Sequence, residues 1–229
     1  NILSDNSIEQ EEEKIADYGE SIQMTLDDVH ELVEEIELEL LKSEEITWEQ
    51  EKKIEETMGK MDDIFSQIEN IQETLKKIDN EAQKNNLIND QLIEKFSQFQ
   101  ELLDDIMTPE LLEAMEDMQN AMQEMDPQKL LDALENFEFD MEAFEEQLDR
   151  FIDMFELALA EQKMDEVIKK LEKLLEEQNK IVTELTNDNE KDFKTLSSRE
   201  RRQEEKFKML TQIMKEASNA MEKLSPDAA

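Results

Sequence analysis

Residues 108–156 read TPELLEAMEDMQNAMQEMDPQKLLDALENFEFDMEAFEEQLDRFIDMFE and contain two of the three prolines and half of the ten phenylalanines of this 229-residue chain. Thr108-Pro109 and Asp126-Pro127 each place a capping side chain before a proline at the first helical position, which is how many helices begin. Apolar residues follow each proline at alternating steps of three and four. The stretch therefore predicts a short Met-rich helix followed by a longer Phe-rich helix.

Composition extends the helical prediction to the whole chain. The sequence has only 2 glycines and 3 prolines, while charged and hydrophobic residues each make up 38% of it. Apolar residues that recur with a helical period at such a composition are typical of long helices and coiled coils. We predict an all-α fold, an elongated antiparallel helical bundle or coiled coil of about five helices, three of them long. A parallel homodimeric coiled coil is the alternative arrangement.

A regular heptad pattern precedes the opening stretch, between residues 54 and 106. It keeps its phase without interruption, as a supercoiled helix or a long hairpin requires. Asn85 and Asn89 occupy consecutive core positions of this pattern, where they either specify the register as buried polar residues or mark a helix break. We expect residues 47–107 to form one continuous helix. We also expect Trp48, at its start, to close one end of the bundle.

The heptads and breaks divide the chain into three predicted segments. Residues 1–107 form a long antiparallel hairpin, and residues 108–186 form a Met- and Phe-rich hairpin. Residues 187–229 form a C-terminal helix that packs back on the bundle, unless all three segments belong to one elongated domain. Residues 197–208, SSRERRQEEKFK, place charges at core phases of that helix. We expect this stretch to protrude or to face an acidic neighbour.

The net charge of −38 is unevenly distributed along the sequence. Residues 1–190 carry 56 acidic and 16 basic side chains, whereas residues 191–229 carry 7 acidic and 9 basic ones. So acidic a surface repels phosphate backbones and anionic lipid headgroups, and we expect no nucleic-acid binding. No segment approaches the roughly 18 apolar residues of a membrane helix. We expect no membrane insertion of this fragment, although a parent chain could carry an anchor.

The methionines and phenylalanines of the opening stretch form the sharpest candidate site. Flexible thioethers suit the capture of apolar helices, and they are also soft ligands for Cu(I). The same side chains fall at core phases, so ordinary core packing is the leading interpretation. The absence of cysteine and the presence of only one histidine argue against copper. The candidate partner- or client-binding surface consists of Met115, Met118, Met122, Met125, Phe137, Phe144 and Phe151.

Other patterns for chemistry are weak. His30 has Asp27 and Glu34 on the same helix, but a di-metal bundle site needs Glu-x-x-His motifs on two helices, so we expect a solvated histidine. Residues 188–192 lack the glycine and the terminal glutamate of a calcium loop. The sequence contains no Gly-rich phosphate loop and no nucleophile elbow. We therefore expect no catalytic activity, no bound metal and no cofactor.

Residues 144–181, FEEQLDRFIDMFELALAEQKMDEVIKKLEKLLEEQNKI, combine a Leu-rich helix, a Glu-Gln-Lys step and acidic Lys-Lys-Leu-Glu repeats that end in Glu-Gln. Together with the Met- and Leu-rich segment before them, they resemble the helical region of large uncharacterised bacterial membrane-anchored coiled-coil proteins. The resemblance covers about residues 109–186. It implies an envelope-associated protein without known catalytic residues, and no functional residue carries over from it.

These observations predict a non-catalytic acidic helical scaffold or protein–protein interaction module, whose partners are other proteins or further copies of the chain. The alternative is a chaperone-like client-binding module that uses a groove lined by the Met/Phe candidate surface. A soft-metal Cu(I) binder is the third interpretation.

Overall fold

A computed structural model describes residues 2–43, 45–85, 90–187 and 193–224. Those residues contain no strand, and the all-α prediction is confirmed. The predicted core roles of Asn85 and Asn89 lie outside the described side chains, as does the continuity of the helix between them. The helical segments are α1 (Ile2–Leu40), α2 (Trp48–Asn85), α3 (Asp90–Ile106), α4 (Pro109–Glu124), α5 (Pro127–Asn187) and α6 (Phe193–Leu224).

The two proline-initiated helices begin where the sequence predicts. The Thr108 hydroxyl accepts a hydrogen bond from the backbone N–H of Leu111 at 3.2 Å. Asp126 Oδ1 accepts from the backbone N–H groups of Gln128 at 3.1 Å and Lys129 at 3.2 Å. Each side chain thus satisfies N–H groups that a helix start leaves without an intrahelical partner.

A reciprocal cap starts α2. Thr47 Oγ1 accepts from the backbone N–H of Gln50 at 3.3 Å, and Gln50 Oε1 accepts from the backbone N–H of Thr47 at 2.7 Å, which is the capping-box arrangement. The expectation that Trp48 closes one end of the bundle is wrong, because its side chain is 69% exposed. Its ring instead lies 4.7 Å from Lys52 Nζ in a cation–π contact at the first turn.

The chain forms two compact units. We call Asn1–Ile152 the bundle unit and Asp153–Ala229 the hairpin unit. Helix α5 contributes its first part to the bundle unit and its second part to the hairpin unit. The predicted three-segment division remains a prediction.

Ion pairs show that α1 and α2 run antiparallel in the bundle unit. Lys53 Nζ lies 2.9 Å from Glu35 and 2.7 Å from Glu39, and Lys60 Nζ lies 2.8 Å from Asp28. Residue numbers therefore rise along α2 as they fall along α1, so the two helices are antiparallel. The short connection between the two helices makes them neighbours.

The first part of α5 also packs antiparallel to α1. Gln23 Nε2 donates to Asp149 at 3.0 Å, and His30 Nε2 lies 2.5 Å from Glu145 Oε1. Helix α2 also packs against both α3 and α4. The core of the bundle unit is therefore shared by α1, α2, α5 and the pair α3–α4.

The predicted periodicity is confirmed by burial in the bundle unit. The heptad positions of α2 and α3 are buried wherever their side chains are described. The same holds for the positions of the Phe-rich helix that recur at steps of three and four, namely Leu130, Leu134, Phe137, Met141, Phe144, Leu148, Phe151 and Phe155. The buried heptad residues are Ile54, Thr57, Met61, Ile64, Ile68, Ile71, Leu75, Ile78, Phe96, Phe99, Leu103 and Ile106. The buried hydroxyl of Thr57 donates to the carbonyl of Lys53 at 2.9 Å, so it stays hydrogen-bonded in the core.

Helix α6 runs antiparallel to the second part of α5 in the hairpin unit. Arg199 lies 2.6 Å from Glu184, and Lys206 lies 3.6 Å from Glu177. The predicted charged stretch, residues 197–208, therefore does face an acidic neighbour. Core phases that would be apolar in an ordinary hairpin are filled by ion pairs at this level.

Candidate interaction surface

Most of the predicted Met/Phe surface is core. Met122 is half-buried and Met125 is 50% exposed, but the other five members are at most 7% exposed. The buried members are Met115, Met118, Phe137, Phe144 and Phe151. Binding of a client by this set stays untested, and in the described conformation only Met122 and Met125 are accessible to a partner.

Aromatic contacts hold the buried members in place. Phe144 packs edge-to-face on Phe65 of α2, with ring centroids 6.2 Å apart. Phe151 packs in the same way on Phe99 of α3 at 5.9 Å. Such pairs stabilise a core beyond the area they bury. A groove lined by these rings would require α5 to separate from both neighbouring helices.

Met125 has a local backbone role. It adopts the left-handed conformation, with φ 54° and ψ 36°, at the end of α4. Its N–H donates to the carbonyl of Met122 at 3.1 Å, and the N–H of Asp126 donates to the carbonyl of Ala121 at 3.4 Å. This is the Schellman arrangement that ends many helices, usually with glycine in the left-handed position. The residue forms the turn between α4 and α5.

A group of carboxylates lies where α1 meets α5. Burial raises the pKa of Glu37, and the nearby charges of Glu138, Glu135 and Glu34 raise it further. Glu37 Oε1 is buried and has no hydrogen-bond partner among the described residues. Within the same residues, no group of three or more His, Asp or Glu side chains is placed to hold a metal ion. The contact therefore brings like charges together at a helix–helix interface.

His30 is not simply solvated, contrary to the expectation. Its ring is about one-third exposed, and Nε2 faces the Glu145 carboxylate of α5. Asp27 and Glu34, which are close to His30 in sequence, were the carboxylates considered from the sequence, whereas the observed partner is Glu145. The actual partner lies far along the chain, and only the packing of α1 on α5 brings it close.

The hairpin unit carries apolar side chains that its own core does not cover. On α5, Ile168 is 51% exposed, Leu175 is 63% exposed and Val182 is 49% exposed. They are seven residues apart, so they lie in one row along the helix. Each directly follows a core position, namely Val167, Leu174 or Ile181. The row therefore borders the seam that α5 makes with α6.

Helix α6 carries a matching row. Phe207 is 56% exposed and Met214 is 39% exposed, again seven residues apart. The ion pairs of the hairpin set a register that places Leu175 level with Phe207 and Ile168 level with Met214. In an antiparallel coiled coil, equivalent positions beside the core face the same side of the pair. We call these five side chains, Ile168, Leu175, Val182, Phe207 and Met214, the exposed stripe.

The other side of the hairpin is polar. Glu177 accepts a hydrogen bond from Gln203 and lies near Lys206, and both contacts lower the pKa of its carboxyl. Arg199 and Glu184 continue this ion-paired flank about two turns further along the hairpin. Arg199 and Lys206 of α6 therefore contact α5 on the side of the seam opposite to the exposed stripe.

A shallow open groove of about 470 Å³ ends the stripe. Met164 of α5 lines it together with Met214, Thr211, Lys215 and Ser218 of α6, and Asn219 completes the lining. Met164 and Met214 line the same groove, which agrees with their position on one side of the hairpin. It provides apolar surface with polar edges rather than an enclosed cavity for a small molecule.

Sequence reasoning missed the exposed stripe, although a signal was present. Adjacent apolar pairs recur every seven residues in α5, as Val167-Ile168, Leu174-Leu175 and Ile181-Val182. A two-helix seam needs one residue of each pair, and the second residue widens the apolar face. Such doublets indicate that the helix is suited to more than one neighbour.

Comparison with known proteins found no matching protein-family model, no similar curated protein and no similar solved structure. The resemblance of residues 109–186 to membrane-anchored coiled-coil proteins stays a prediction. Across the described ranges, no helix combines the length and apolar character that crossing a membrane requires.

Proposed function

We propose that the chain is a non-catalytic acidic helical scaffold, a protein–protein interaction module that uses helix packing to bind protein partners or its own copies. The observation that carries the proposal is the exposed stripe. Leu175 is 63% exposed and Phe207 is 56% exposed, and they sit level with each other on one side of the hairpin unit. Side chains of this size, aligned on two helices, are typical of a surface that binds another helix.

The contrast with the bundle unit supports this proposal. Core residues such as Ile64, Ile68 and Phe137 have no exposed surface, so the bundle buries its heptad core between its own helices. A closed bundle of this kind is suited to the rigid part of a scaffold. The ionisable contacts of the bundle, His30–Glu145 and the Glu37 carboxylates, occur at helix interfaces and suggest a structural role.

The proposal is tested by cross-linking the purified chain in an extract of its source cells, followed by mass spectrometry. Light scattering of the purified chain measures self-association in parallel. We expect reproducible cross-links to a small set of proteins, or a mass above that of the monomer. A strictly monomeric chain with no specific cross-linked protein would overturn the proposal.

A further inference from the structure

The exposed stripe is bordered by acidic side chains. The positions that flank it on α5 are Asp165, Glu172, Asn179 and Thr186, and those on α6 are Ser197, Glu204, Thr211 and Ser218. Glu200 lies level with Val182, where α6 would otherwise continue the apolar row. These positions and Glu200 together hold four carboxylates and no lysine or arginine.

Hydrogen bonds fix part of this border. Glu200 accepts from Gln178 Nε2 at 3.0 Å, which holds its carboxylate beside the seam of the hairpin. Glu204 pairs with Lys208 at 2.6 Å, and this contact lowers the pKa of its carboxyl. Lys215 lies at the far end of the stripe, in the lining of the groove. Lys208 and Lys215 lie outside the flanking positions, whose only charged groups are carboxylates.

We propose that the exposed stripe binds a cationic amphipathic helix of a partner protein, one with apolar side chains on one face and lysine or arginine at both edges of that face. This inference rests on the proposed interaction function and names its partner class. The apolar face of the incoming helix would cover Ile168, Leu175 and Phe207. Its basic edges would meet Glu172 on one side and Glu204 on the other. The stripe from residue 168 to residue 182 is about 21 Å long, which matches roughly four turns of helix.

The charge pattern selects this occupant over a second copy of the chain. Two copies that paired stripe on stripe would place the acidic borders of one against the acidic borders of the other. Like charges facing each other across an interface oppose association, whereas opposite charges favour it and speed the encounter. The net charge of −38 adds a long-range field of the same sign. An anionic lipid surface is disfavoured for the same reason.

The first test uses synthetic helical peptides of about 21 residues and the full-length chain. One peptide carries leucines at heptad positions with lysines at the edges, and its match carries glutamates at the same edges. Fluorescence anisotropy of labelled peptide measures binding. We expect the lysine peptide to bind at least about tenfold more tightly than the glutamate peptide, with the difference shrinking as salt rises. Equal binding, or no binding of the lysine peptide, would overturn the proposal.

Matched variants locate the site. Leu175→Gln with Phe207→Gln should weaken binding of the lysine peptide by about tenfold or more, because it removes the two most exposed members of the stripe. Met209→Gln is the control, since Met209 is 68% exposed on α6 but lies outside the stripe. Its effect should stay within about twofold. Similar losses in both variants would overturn the assignment to the stripe.

A charge reversal tests the borders alone. Glu172→Lys with Glu204→Lys should reduce the preference for the lysine peptide by about tenfold or more, because the border then carries as many positive as negative charges. All substituted side chains are exposed, and far-UV circular dichroism confirms that each variant keeps its helices. An unchanged preference would show that the borders do not choose the partner, against the proposal.

The remaining outcomes separate this inference from the broader one. If cross-linking finds a partner but the stripe variant captures it equally well, this inference fails and the proposed function stands. If light scattering shows a dimer that Leu175→Gln with Phe207→Gln abolishes, the stripe binds a second copy and the cationic-helix proposal fails. If the chain has neither partner nor copy, the proposed function itself fails.

Discussion

The bundle unit and the hairpin unit use the same heptad spacing but bury it to different extents. In the bundle, Ile64 and Phe144 have no exposed surface, whereas in the hairpin Leu175 is 63% exposed. The difference follows from the number of neighbours. A helix with two or three neighbours buries a wide apolar face, while a single neighbour covers only a narrow seam.

The two units also differ in where they place charge. The bundle keeps ion pairs such as Lys53–Glu39 at the edges of an apolar core. The hairpin places Arg199 and Lys206 at phases that a core would occupy. Exposed ion pairs stabilise far less than buried apolar side chains do. We infer that the bundle is the stable part of the molecule and that the hairpin depends more on what binds it.

The largest expected effect is a cavity in the bundle. Phe144→Ala should lower the free energy of unfolding by about 3–5 kcal/mol, because it removes a fully buried ring and its contact with Phe65. Phe139→Ala is the control on the same helix, since Phe139 is 71% exposed, and it should cost less than about 0.5 kcal/mol. Denaturant unfolding followed by circular dichroism measures both. Equal losses of unfolding free energy in the two variants would contradict the assignment of Phe144 to the core and Phe139 to the surface.

Hydrogen exchange tests the comparison within one helix. Amides of α5 in the bundle, from Leu134 to Leu148, should exchange at least about a hundredfold more slowly than those from Val167 to Ile181 in the hairpin. A hundredfold difference corresponds to about 2.7 kcal/mol in the free energy of local opening. Exchange at native pH with residue-level mass spectrometry gives both values. Uniform exchange along α5 would mean that the two units open together.

Local chemistry was predictable from the sequence wherever neighbouring residues decide it. Thr108 and Asp126 cap helices because their side chains reach N–H groups two or three residues ahead. The buried columns followed from spacing alone, since a helix repeats its faces regardless of partners. Phe137 and Phe144 have the same core spacing and are buried, although they were also named as members of a candidate binding surface. Periodicity predicts which residues face a helix neighbour.

What the sequence could not provide was the number of neighbours at each point. The pattern of Val167 and Ile181 resembles that of Ile64 and Ile71, yet α5 in the hairpin has one described helix along its seam and the bundle has several. Long-range pairs were equally hidden, because Glu145 meets His30 only through packing. Exposure of a stripe is therefore a property of the assembly of helices rather than of any one segment.

A smaller effect is expected at the turn that joins α4 to α5 in the bundle. Met125→Gly should raise the stability of the bundle by up to about 1 kcal/mol, because glycine adopts the left-handed conformation without the steric cost that Met125 bears. Met24→Gly makes the same substitution inside α1, where Met24 is 65% exposed, and should cost about 1 kcal/mol. Thermal unfolding compares the two. The same sign in both variants would contradict the role assigned to the turn.

The smallest effect concerns two glutamates whose pKa values shift in opposite directions. Glu37 in the bundle has a raised pKa from burial and from Glu138 and Glu135, so its charged form is disfavoured in the folded state. Its contribution to stability is present below the ordinary pKa of 4.5 and is lost as pH rises through the raised value. Glu37→Gln should therefore stabilise the bundle at pH 7 by about 0.5 kcal/mol after allowance for solvent screening, and by nothing near pH 3.

Glu177 in the hairpin supplies the opposite sign and completes the test. Its pKa is lowered by the hydrogen bond from Gln203 and by Lys206, so its contribution is present above the ordinary value and is lost as pH falls through the lowered one. Glu177→Gln should slightly destabilise the hairpin at pH 7 and not at low pH.

Unfolding curves at pH 7 and pH 3 measure both variants, with Glu31→Gln, an exposed site on α1, as the control for net charge. Stabilisation by all three variants would mean that the net charge, rather than the local contacts, governs these carboxylates. If Glu37→Gln stabilises and Glu177→Gln destabilises at pH 7, local contacts decide the effect of each carboxylate. The bundle then tolerates like charges at its helix interfaces because its apolar core offsets them. The hairpin, which has little core, relies on its ion pairs.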